Sequence, residues 1–416
     1  MTHSPDPAAP TSWWLDDVLL ETALVPGDDG ERTETRRAAV LIESGAIARV
    51  VPARPGVQEL DGLPVHDGRG LLMIPTLHDA HLHLDKTFYG GPWQAPVPGR
   101  SWLAEEERLL PGMSRDIPRR SNAICDLIVA HGTTRVTAHC NVDHVVGTRS
   151  AERLLEVLAG RDDLDAEVVA YPQHGMRGGE MLPLLAAALR AGADVVGGLD
   201  PGSRERDIEG TLDALFDLAL EHDAGLDFHI HDGGTLGLYE IEKITDRTLE
   251  SGRQGRVMLS NASALGGVDP GAARACADRL AAARIGVVAT VGVGGLPIPV
   301  PMLDAAGVRV RLGSDSITDI LTPFGQGDIL EQVWMLAQHL GWSDERRLAA
   351  ALVFGAGEAG RWTSQGTRAW PSPGAQASFQ LVDAQCTAQA VARRARRELV
   401  VHRGRITHDR REKDRA

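Results

Sequence analysis

The stretch Leu226-Asp227-Phe228-His229-Ile230-His231 is followed by the segment Tyr239–Ser251 and then by Val257-Met258-Leu259-Ser260. The first and last runs are short and largely apolar, whereas the segment between them places apolar residues three and four positions apart. Short apolar runs predict strands, and the three- and four-residue spacing predicts a helix. The stretch is therefore a strand–helix–strand unit, which is the connection that a parallel sheet requires.

The same unit repeats through the middle of the chain. Eight strands are predicted, at Leu71–Leu84, Thr133–His139, Ala166–Tyr171, Asp194–Gly198, Leu226–His231, Val257–Ser260, Val287–Val291 and Val308–Gly313. Further helices are predicted at Ile208–His222, Gly271–Arg284 and Gln326–Leu340. Eight such repeats within about 300 residues favour an α/β fold with a closed (β/α)₈ TIM-type barrel. An open doubly wound sheet is the alternative, but the glycines at 292–295 lack the G-x-G-x-x-G continuation of a dinucleotide-binding turn.

The two ends of the chain have a different sequence pattern. Short β-type runs separated by Gly, Asp and Pro occur before about residue 70 and return after Trp370. They are Val18–Leu20, Ala39–Ile42, Ala48–Val51, Phe379–Val382 and Leu399–Val401. This pattern predicts small antiparallel sheets. We therefore divide the chain into an N-terminal part (1–69), a barrel (70–364) and a C-terminal part (365–416) that ends in a basic, solvated tail.

Composition limits the possible partners and compartment. The 416 residues include 43 basic and 57 acidic side chains, a formal charge of −14, so nucleic acid is an unfavourable partner. The four cysteines are scattered without C-x-x-C spacing, which favours a reducing cytoplasm. No signal peptide and no apolar run long enough to span a membrane is present in the sequence. We expect a cytoplasmic protein that acts on a small molecule.

Chemically active side chains gather at the predicted strand ends. Barrel enzymes place their active sites at the C-terminal ends of the strands. His81 and His83 are one residue apart on the first strand, so both rings point to the same side. His229 at the end of strand 5 and Asp315 after strand 8 complete a set of nitrogen and oxygen ligands that suits Zn²⁺ or Fe²⁺.

These motifs resemble those of the amidohydrolase superfamily. The run Ile74-Pro75-Thr76 leads into His81-Leu82-His83, and the later His229 and Gly313-Ser314-Asp315 match the same pattern. The run Val169-Ala170-Tyr171-Pro172-Gln173-His174-Gly175 resembles the substrate-contacting strand end of the cytosine deaminase branch. The resemblance implies that both chain ends form one small β-sandwich domain and that the barrel often self-associates, so a homo-oligomer is possible. It also implies one divalent ion, because strand 4 ends in Gly198-Leu199-Asp200 rather than in a bridging lysine.

The resemblance also implies roles for side chains around the metal. Asp315 corresponds to the base that takes a proton from the metal-activated water. Gln173 corresponds to an amide that hydrogen-bonds a pyrimidine, and an amide both donates and accepts. Lys86 is a candidate partner for an anionic substrate group, and His174 is a candidate pocket residue. Leu321 occupies the position where the cytosine enzyme has a ring-stacking Trp, so the substrate is expected to differ from cytosine.

Two further positions depart from the family pattern. The acidic proton shuttle, a Glu in the family, is here Asp232, and the histidine at the end of strand 6 is here Asn261. Asparagine can donate a hydrogen bond to an oxyanion but cannot titrate near neutral pH. We expect Asp232 to deliver a proton to the leaving nitrogen, and Asn261 or His231 to hold the oxyanion.

The sequence thus predicts a metal-dependent hydrolase that cleaves a carbon–nitrogen bond, by deamination or amide hydrolysis, in a small and cyclic nitrogenous substrate. A catalytically altered or inactive metal-binding relative is the alternative, because of Asn261. Tyr89, Trp93 and Trp102 are predicted to lie in a long loop after strand 1, where they are candidates for a lid.

Overall fold

The computed structural model describes residues 12–28, 30–53, 62–97, 101–177, 179–292 and 298–411. The chain divides into two compact units. One comprises Met1–His78, Ile128–Thr134 and Asp328–Ala416, and the other comprises Asp79–Leu127 and Arg135–Gly327.

The central sheet contains eight strands in sequential order. They are β6 (Leu77–Leu82), β7 (Thr133–Asn141), β8 (Asp165–Tyr171), β9 (Val195–Leu199), β10 (Gly225–His229), β11 (Val257–Ser260), β12 (Gly286–Thr290) and β13 (Val310–Gly313). Neighbours from β7 to β13 pair in parallel register. The first and last strands meet at a parallel bridge between Leu82 and Asp315, so the sheet closes into the predicted barrel.

Helices follow the barrel strands. They are α1 (Trp102–Ala130), α2 (Arg149–Ala159), α3 (Met181–Ala191), α4 (Ile208–Glu221), α5 (Gly234–Glu250), α6 (Pro270–Ala282), α7 (Val300–Ala305) and α8 (Ile329–His339). Three begin at aspartate caps: Asp207 accepts a hydrogen bond from the backbone of α4, Asp269 caps α6 immediately before Pro270, and Asp328 caps α8. Three short helices, α9 (Glu345–Ala351), α10 (Val353–Ala356) and α11 (Thr387–Arg393), come later in the chain.

The placement of Trp102 in a loop was wrong. Trp102 is the first residue of α1, a helix of 29 residues that the sequence pattern did not reveal. Pro111 and Pro118 lie inside this helix, and proline normally argues against a helix interior. Tyr89 and Trp93 do lie outside regular elements, before α1.

Both chain ends contribute to a second, mixed sheet of eight strands. Its strands are β1 (Ser12–Gly27), β2 (Gly30–Glu43), β3 (Ala46–Pro52), β4 (Val65–Asp67), β5 (Leu72–Pro75), β14 (Phe379–Val382), β15 (Arg397–His402) and β16 (Arg405–Asp409). Strand β5 pairs with β1 from the N-terminal part and β14 from the C-terminal part. Buried residues from both ends, among them Trp13, Val40 and Phe379, form one apolar cluster beside this sheet.

Two predicted boundaries change in the structure. The single strand predicted at Leu71–Leu84 was wrong, because Leu72–Pro75 belongs to the mixed sheet and Leu77–Leu82 belongs to the barrel. Part of the predicted basic tail forms strand β16, whereas residues 412–416 lie outside the described residues. Among the residues that the structure describes, no helix has both the length and the apolar character needed to cross a membrane.

Candidate metal centre and active site

Three imidazole nitrogens and one carboxylate converge at the barrel rim. The Nε2 atom of His81 lies 3.4 Å from Nε2 of His83 and 3.0 Å from Nε2 of His229. The Oδ1 atom of Asp315 lies 3.5 Å from Nε2 of His81 and 3.4 Å from Nε2 of His83. Ligands about 2 Å from a tetrahedral zinc ion are separated by about 3.3 Å. The four predicted ligands therefore have the spacing of a metal coordination shell.

The closure of the barrel sets this geometry. The Asp315 amide donates to the His81 carbonyl at 2.7 Å, and the His83 amide donates to the Asp315 carbonyl at 3.1 Å. Buried Asp79 reinforces the junction, since its carboxylate accepts the Ser314 amide at 2.9 Å. A Cβ on Gly313 would lie 2.5 Å from the Cβ of His81, so only glycine permits this close approach.

The protonation states of the four groups suit metal binding. Burial lowers the pKa of His83 to about 3 and lowers those of His81 and His229 well below the ordinary value. Burial alone would raise the pKa of Asp315, but His81 and His83 outweigh it and lower that pKa. Because Nδ1 of His83 donates to the His139 carbonyl at 3.1 Å, its Nε2 keeps a free lone pair.

A second set of buried groups lies against the ligand rings. The His139 ring stacks on His81 with centroids 4.1 Å apart, and the Tyr171 ring stacks on His229 at the same separation of 4.1 Å. Asp227 lies 3.4 Å from Nε2 of His139 and accepts a hydrogen bond from the Ser260 hydroxyl at 2.7 Å. These contacts fix the planes of the ligand rings.

His231 is oriented by a carboxylate that the sequence analysis did not identify. Its Nδ1 lies 3.0 Å from Oδ2 of Asp200, and Asp200 also accepts the His231 backbone amide at 2.6 Å. Burial lowers the pKa of His231, but Asp200 outweighs burial and raises it overall. Nδ2 of Asn261 lies 3.2 Å from Nε2 of His231, and Oδ1 of Asn261 accepts from Thr290 at 3.0 Å. Asn261 thus belongs to an ordered network.

Asp232 lies beside two other carboxylates. Its Oδ2 accepts the Ser203 amide at 2.9 Å, and carboxylate oxygens of Asp200, Asp232 and Glu240 lie within 4.8 Å of one another. Burial raises the pKa of Glu240 to about 8, and the negative charge of Asp232 contributes to this increase. Glu240 is therefore protonated at neutral pH and can donate a hydrogen bond to Asp232.

Lys86 and Gln173 contact one another in the interior. Nζ of Lys86 donates to Oε1 of Gln173 at 2.5 Å, and both residues are buried. Glu106 of α1 lies 3.5 Å from Nζ of Lys86 and accepts a hydrogen bond from Asn141 at 3.1 Å. Burial lowers the pKa of Lys86, but Glu106 and Asp85 outweigh it and raise that pKa, so the ammonium is charged.

His174 and Leu321 differ in their surroundings. The buried His174 ring lies between two carboxylates, 3.7 Å from Glu106 and 3.6 Å from Asp143. Leu321 is 45% exposed, in a loop after β13 that Asp319 holds by accepting the Leu321 amide at 2.8 Å. Leu321 therefore presents an apolar surface without an aromatic ring.

Comparison with known proteins agrees with this architecture. The sequence model described as "Amidohydrolase family" matches residues 94–408. The chain belongs to the amidohydrolase family. A relative from Escherichia coli (strain K12), designated "Uncharacterized protein YahJ", is 36% identical over 408 residues, which cover 95% of this chain and 87% of that protein.

Solved amidohydrolase structures extend the comparison. N-isopropylammelide isopropylaminohydrolase from Burkholderia multivorans superposes with a TM-score of 0.84 and 33% identity, covering 95% of this chain and 98% of that one. 5-Methylcytosine deaminase from Klebsiella pneumoniae gives a TM-score of 0.75 over 94% of this chain and 98% of that one. At 23% identity, the second likeness shows the fold alone. The predicted amidohydrolase superfamily is confirmed, and the chain is an enzyme that hydrolyses carbon–nitrogen bonds other than peptide bonds.

The residues that sequence analysis missed support this amidohydrolase site from nearby positions. Asp200 directly follows β9, Tyr171 ends β8, Asp79 lies in β6, and Glu106 lies in α1. The strand-end rule could have drawn attention to Asp200 and Tyr171, because both occupy the rim that holds the ligands. Glu106 gave no such signal, because its helix was not predicted.

Proposed function

We propose that this amidohydrolase holds one Zn²⁺ or Fe²⁺ ion and hydrolyses a carbon–nitrogen bond of a small nitrogenous heterocycle. The observation that supports the proposal most directly is the convergence of three ring nitrogens. Nε2 of His81 lies 3.4 Å from Nε2 of His83 and 3.0 Å from Nε2 of His229. Three unprotonated nitrogens with facing lone pairs repel one another unless a cation or proton lies among them. The low pKa values of these rings favour a cation.

The proposed ligand set also supplies a base for the attacking water. His81, His83, His229 and Asp315 would hold the ion, and Nδ1 of His83 is already fixed by a backbone carbonyl. A divalent ion at such a site supplies Lewis acidity and lowers the pKa of the water it binds. The Asp315 carboxylate is ionised and can accept a proton from the attacking water.

His231 is well placed to handle the second proton. Its ring centroid lies 5.9 Å from that of His229, and Asp200 fixes its Nδ1. Asn261 lies beside Nε2 of His231 and can donate to an oxyanion. Asp232 accepts the Ser203 amide and borders Glu240. This arrangement favours His231, in place of the Asp232 expected from the sequence, for proton delivery to the leaving nitrogen. Asp232 then helps to hold the loop that contains Ser203.

The names of two similar proteins support a choice of leaving group. The Burkholderia protein is named for the removal of isopropylamine from N-isopropylammelide, and the Klebsiella protein is named as a deaminase. Both names describe loss of an exocyclic nitrogen from a six-membered ring. We therefore favour release of ammonia or a small amine over ring opening.

Metal titration with a substrate panel tests the proposal. Metal-free protein is titrated with Zn²⁺ or Fe²⁺ and assayed for ammonia or amine release from aminotriazines, alkylaminotriazines and aminopyrimidines. We expect one metal ion per chain and turnover of at least one ring. The variant His229→Ala is expected to bind less metal and to lose turnover. Absence of any turnover with one ion bound would refute the catalytic part of the proposal and favour the inactive metal-binding alternative.

A further inference from the structure

We infer that Arg204 forms a subsite for a carboxylate on the substituent of the leaving nitrogen, so that the released amine is an amino acid or a similar anionic amine. This inference rests on the proposed function of the same site and specifies its substrate class. It concerns the group attached to the ring rather than the ring itself. It depends on where the loop after β9 holds one guanidinium and on what surrounds that group.

The loop between β9 and α4 holds the backbone of Arg204 in place. The Arg204 amide donates to the Asp200 carbonyl at 3.0 Å. The preceding amide, that of Ser203, donates to Oδ2 of Asp232 at 2.9 Å. A binding group that is already ordered loses less conformational entropy when a ligand arrives. Arg204 therefore starts from a fixed position at the rim of the barrel.

The Arg204 side chain extends toward the end of β8. A Cβ placed on Gly175 would lie 3.5 Å from Cγ and 3.6 Å from Nε of Arg204, so the side chain passes over this glycine. Burial raises the pKa of Tyr171, the last residue of β8, and the charge of Arg204 opposes this increase. The Tyr171 ring in turn stacks on His229 with centroids 4.1 Å apart. Arg204 thus lies on the side of the proposed metal centre that β8 and β10 form.

The guanidinium of Arg204 has no fixed counter-ion. Within the described ranges of the chain, it makes no ion pair and no hydrogen bond, and the residue is only partly exposed. The adjacent Glu205 is engaged elsewhere, because its Oε1 accepts the Met176 amide at 2.8 Å. Burial also raises the pKa of Glu205, although the charges of Arg204 and Arg177 oppose that increase. A guanidinium can bind a carboxylate through two parallel hydrogen bonds, so Arg204 is available for an anionic ligand group.

Asp200 connects Arg204 to the leaving-group side of the site. Its carbonyl accepts the Arg204 amide, and its carboxylate orients His231, the residue proposed to protonate the leaving nitrogen. Hydrolysis adds water across the exocyclic carbon–nitrogen bond, so the ring carbon gains the oxygen and the nitrogen leaves with a proton and its substituent. Arg204 and His231 therefore face the same part of the substrate, and a carboxylate on that substituent is within the range of Arg204.

Two rings that differ in a single group test this inference. A uracil with a carboxyethyl group on C6 carries a carboxylate where a uracil with a propyl group on C6 carries a methyl group. Neither has an exocyclic nitrogen, so binding is measured without turnover. Isothermal titration calorimetry with the metal-loaded enzyme is expected to show the carboxyethyl ring binding at least about 10-fold more tightly. Equal affinities, or no binding of the carboxyethyl ring, would overturn the inference.

The variant Arg204→Gln separates the guanidinium from other sources of selectivity. We expect the preference for the carboxyethyl ring to disappear, while the affinity for the propyl ring stays the same. Arg190→Gln is the matched control, because Arg190 is exposed in the last turn of α3, which leads to the start of β9 rather than to the strand ends. It changes the net charge equally and should leave the preference intact. A preference that persists in Arg204→Gln at full metal content would overturn the inference, and its loss on metal removal would then assign the carboxylate to the ion.

The two proposals fail in different ways. If the carboxyethyl ring binds selectively through Arg204 but no aminotriazine or aminopyrimidine is hydrolysed, the subsite stands and the catalytic proposal fails. If rings are hydrolysed but the preference is absent or independent of Arg204, the catalytic proposal stands and the subsite is refuted.

Discussion

At the scale of single residues, the site depends on groups that fix its ligands without being ligands. His139 stacks on His81 and accepts a hydrogen bond from His83 through its backbone, and Asp227 faces the His139 ring. Asp200 orients the His231 ring in the same way. Such partners orient an imidazole and raise its basicity, so their loss weakens a metal site even when every ligand remains.

Asp227→Asn is expected to reduce metal affinity by about 10- to 100-fold. Asp227 is 2% exposed, and its carboxylate lies within 4.8 Å of ring nitrogens of His139 and of the proposed ligand His229, where it balances part of the charge of a bound cation. Competition with a chromophoric chelator measures the effect. Asp217→Asn, at an exposed position on α4, is the matched control. Equal metal affinity in the two variants would show that Asp227 has only a packing role.

Asn261→His tests whether Asn261 reflects a loss of catalytic activity or an adaptation to a different reaction. Asn261 adopts φ = 69°, a left-handed conformation that asparagine tolerates well, and it contacts both His231 and Thr290. The larger imidazole would crowd His231 and would lose the amide oxygen that accepts from Thr290. We therefore expect kcat for the native reaction to fall at least about 10-fold with metal content unchanged. A large gain in hydrolysis would instead identify the chain as an altered enzyme that has lost a catalytic histidine.

At the scale of elements, apolar patterning explains which parts of the fold could be predicted. The eight barrel strands were found because each contains a short apolar run. The observed bounds of β11 in the barrel and of β14 in the mixed sheet match the predicted ones. The helix α1 was missed because of its two prolines. The pairing of Lys86 with Gln173 could not be predicted either, because 87 residues separate them in the chain and only the barrel brings them together.

Gly313→Ala is expected to disrupt the junction of β6 and β13. The added Cβ would meet His81 Cβ at 2.5 Å and its backbone nitrogen and oxygen at 2.9 Å, so the two strands must separate. Overpacking of this kind costs about 1–3 kcal/mol or more, and it displaces two proposed ligands together. A lower melting temperature and lower metal content are expected. Gly112→Ala, where no atom lies within 4 Å of the new Cβ, should be neutral or slightly stabilising. Normal metal content in Gly313→Ala would contradict this account.

The loop after β9 and helix α5 contain a pH-dependent contact at Glu240. Burial raises the pKa of Glu240 from 4.5 to about 8, so the folded state binds a proton that the unfolded state releases above pH 4.5. This contribution to stability is complete below about pH 4.5 and is lost progressively as the pH rises toward 8. Glu240→Gln keeps a hydrogen-bond donor for Asp232 without titrating. We expect the melting temperature of the variant, relative to wild type, to rise between pH 5 and pH 8. A difference that stays constant across this range would contradict the assigned protonation.

At the scale of the whole molecule, the proposed ion would join strands that are far apart in the sequence. His81 lies in β6 and His83 directly after it, His229 ends β10, and Asp315 lies two residues after β13. The ends of β6 and β13 form the closure of the barrel. A ligand that binds only the folded state stabilises it by about 3–4 kcal/mol at 100 to 1,000 times its Kd. The gain in stability should be largest in the strands that carry the metal ligands.

Metal removal should therefore have a local signature in amide hydrogen exchange. In metal-free protein, we expect faster exchange in Leu77–Leu82 and Val310–Gly313, because the side-chain link across the closure is missing while its few backbone hydrogen bonds remain. Strands β1 and β2 of the mixed sheet carry none of the proposed ligands, so their exchange should change little. One equivalent of Zn²⁺ should restore protection in wild type but not in His83→Ala. Equal loss of protection in both sheets would mean that the ion supports global folding, whereas no loss in β6 and β13 would remove these four residues as the metal site.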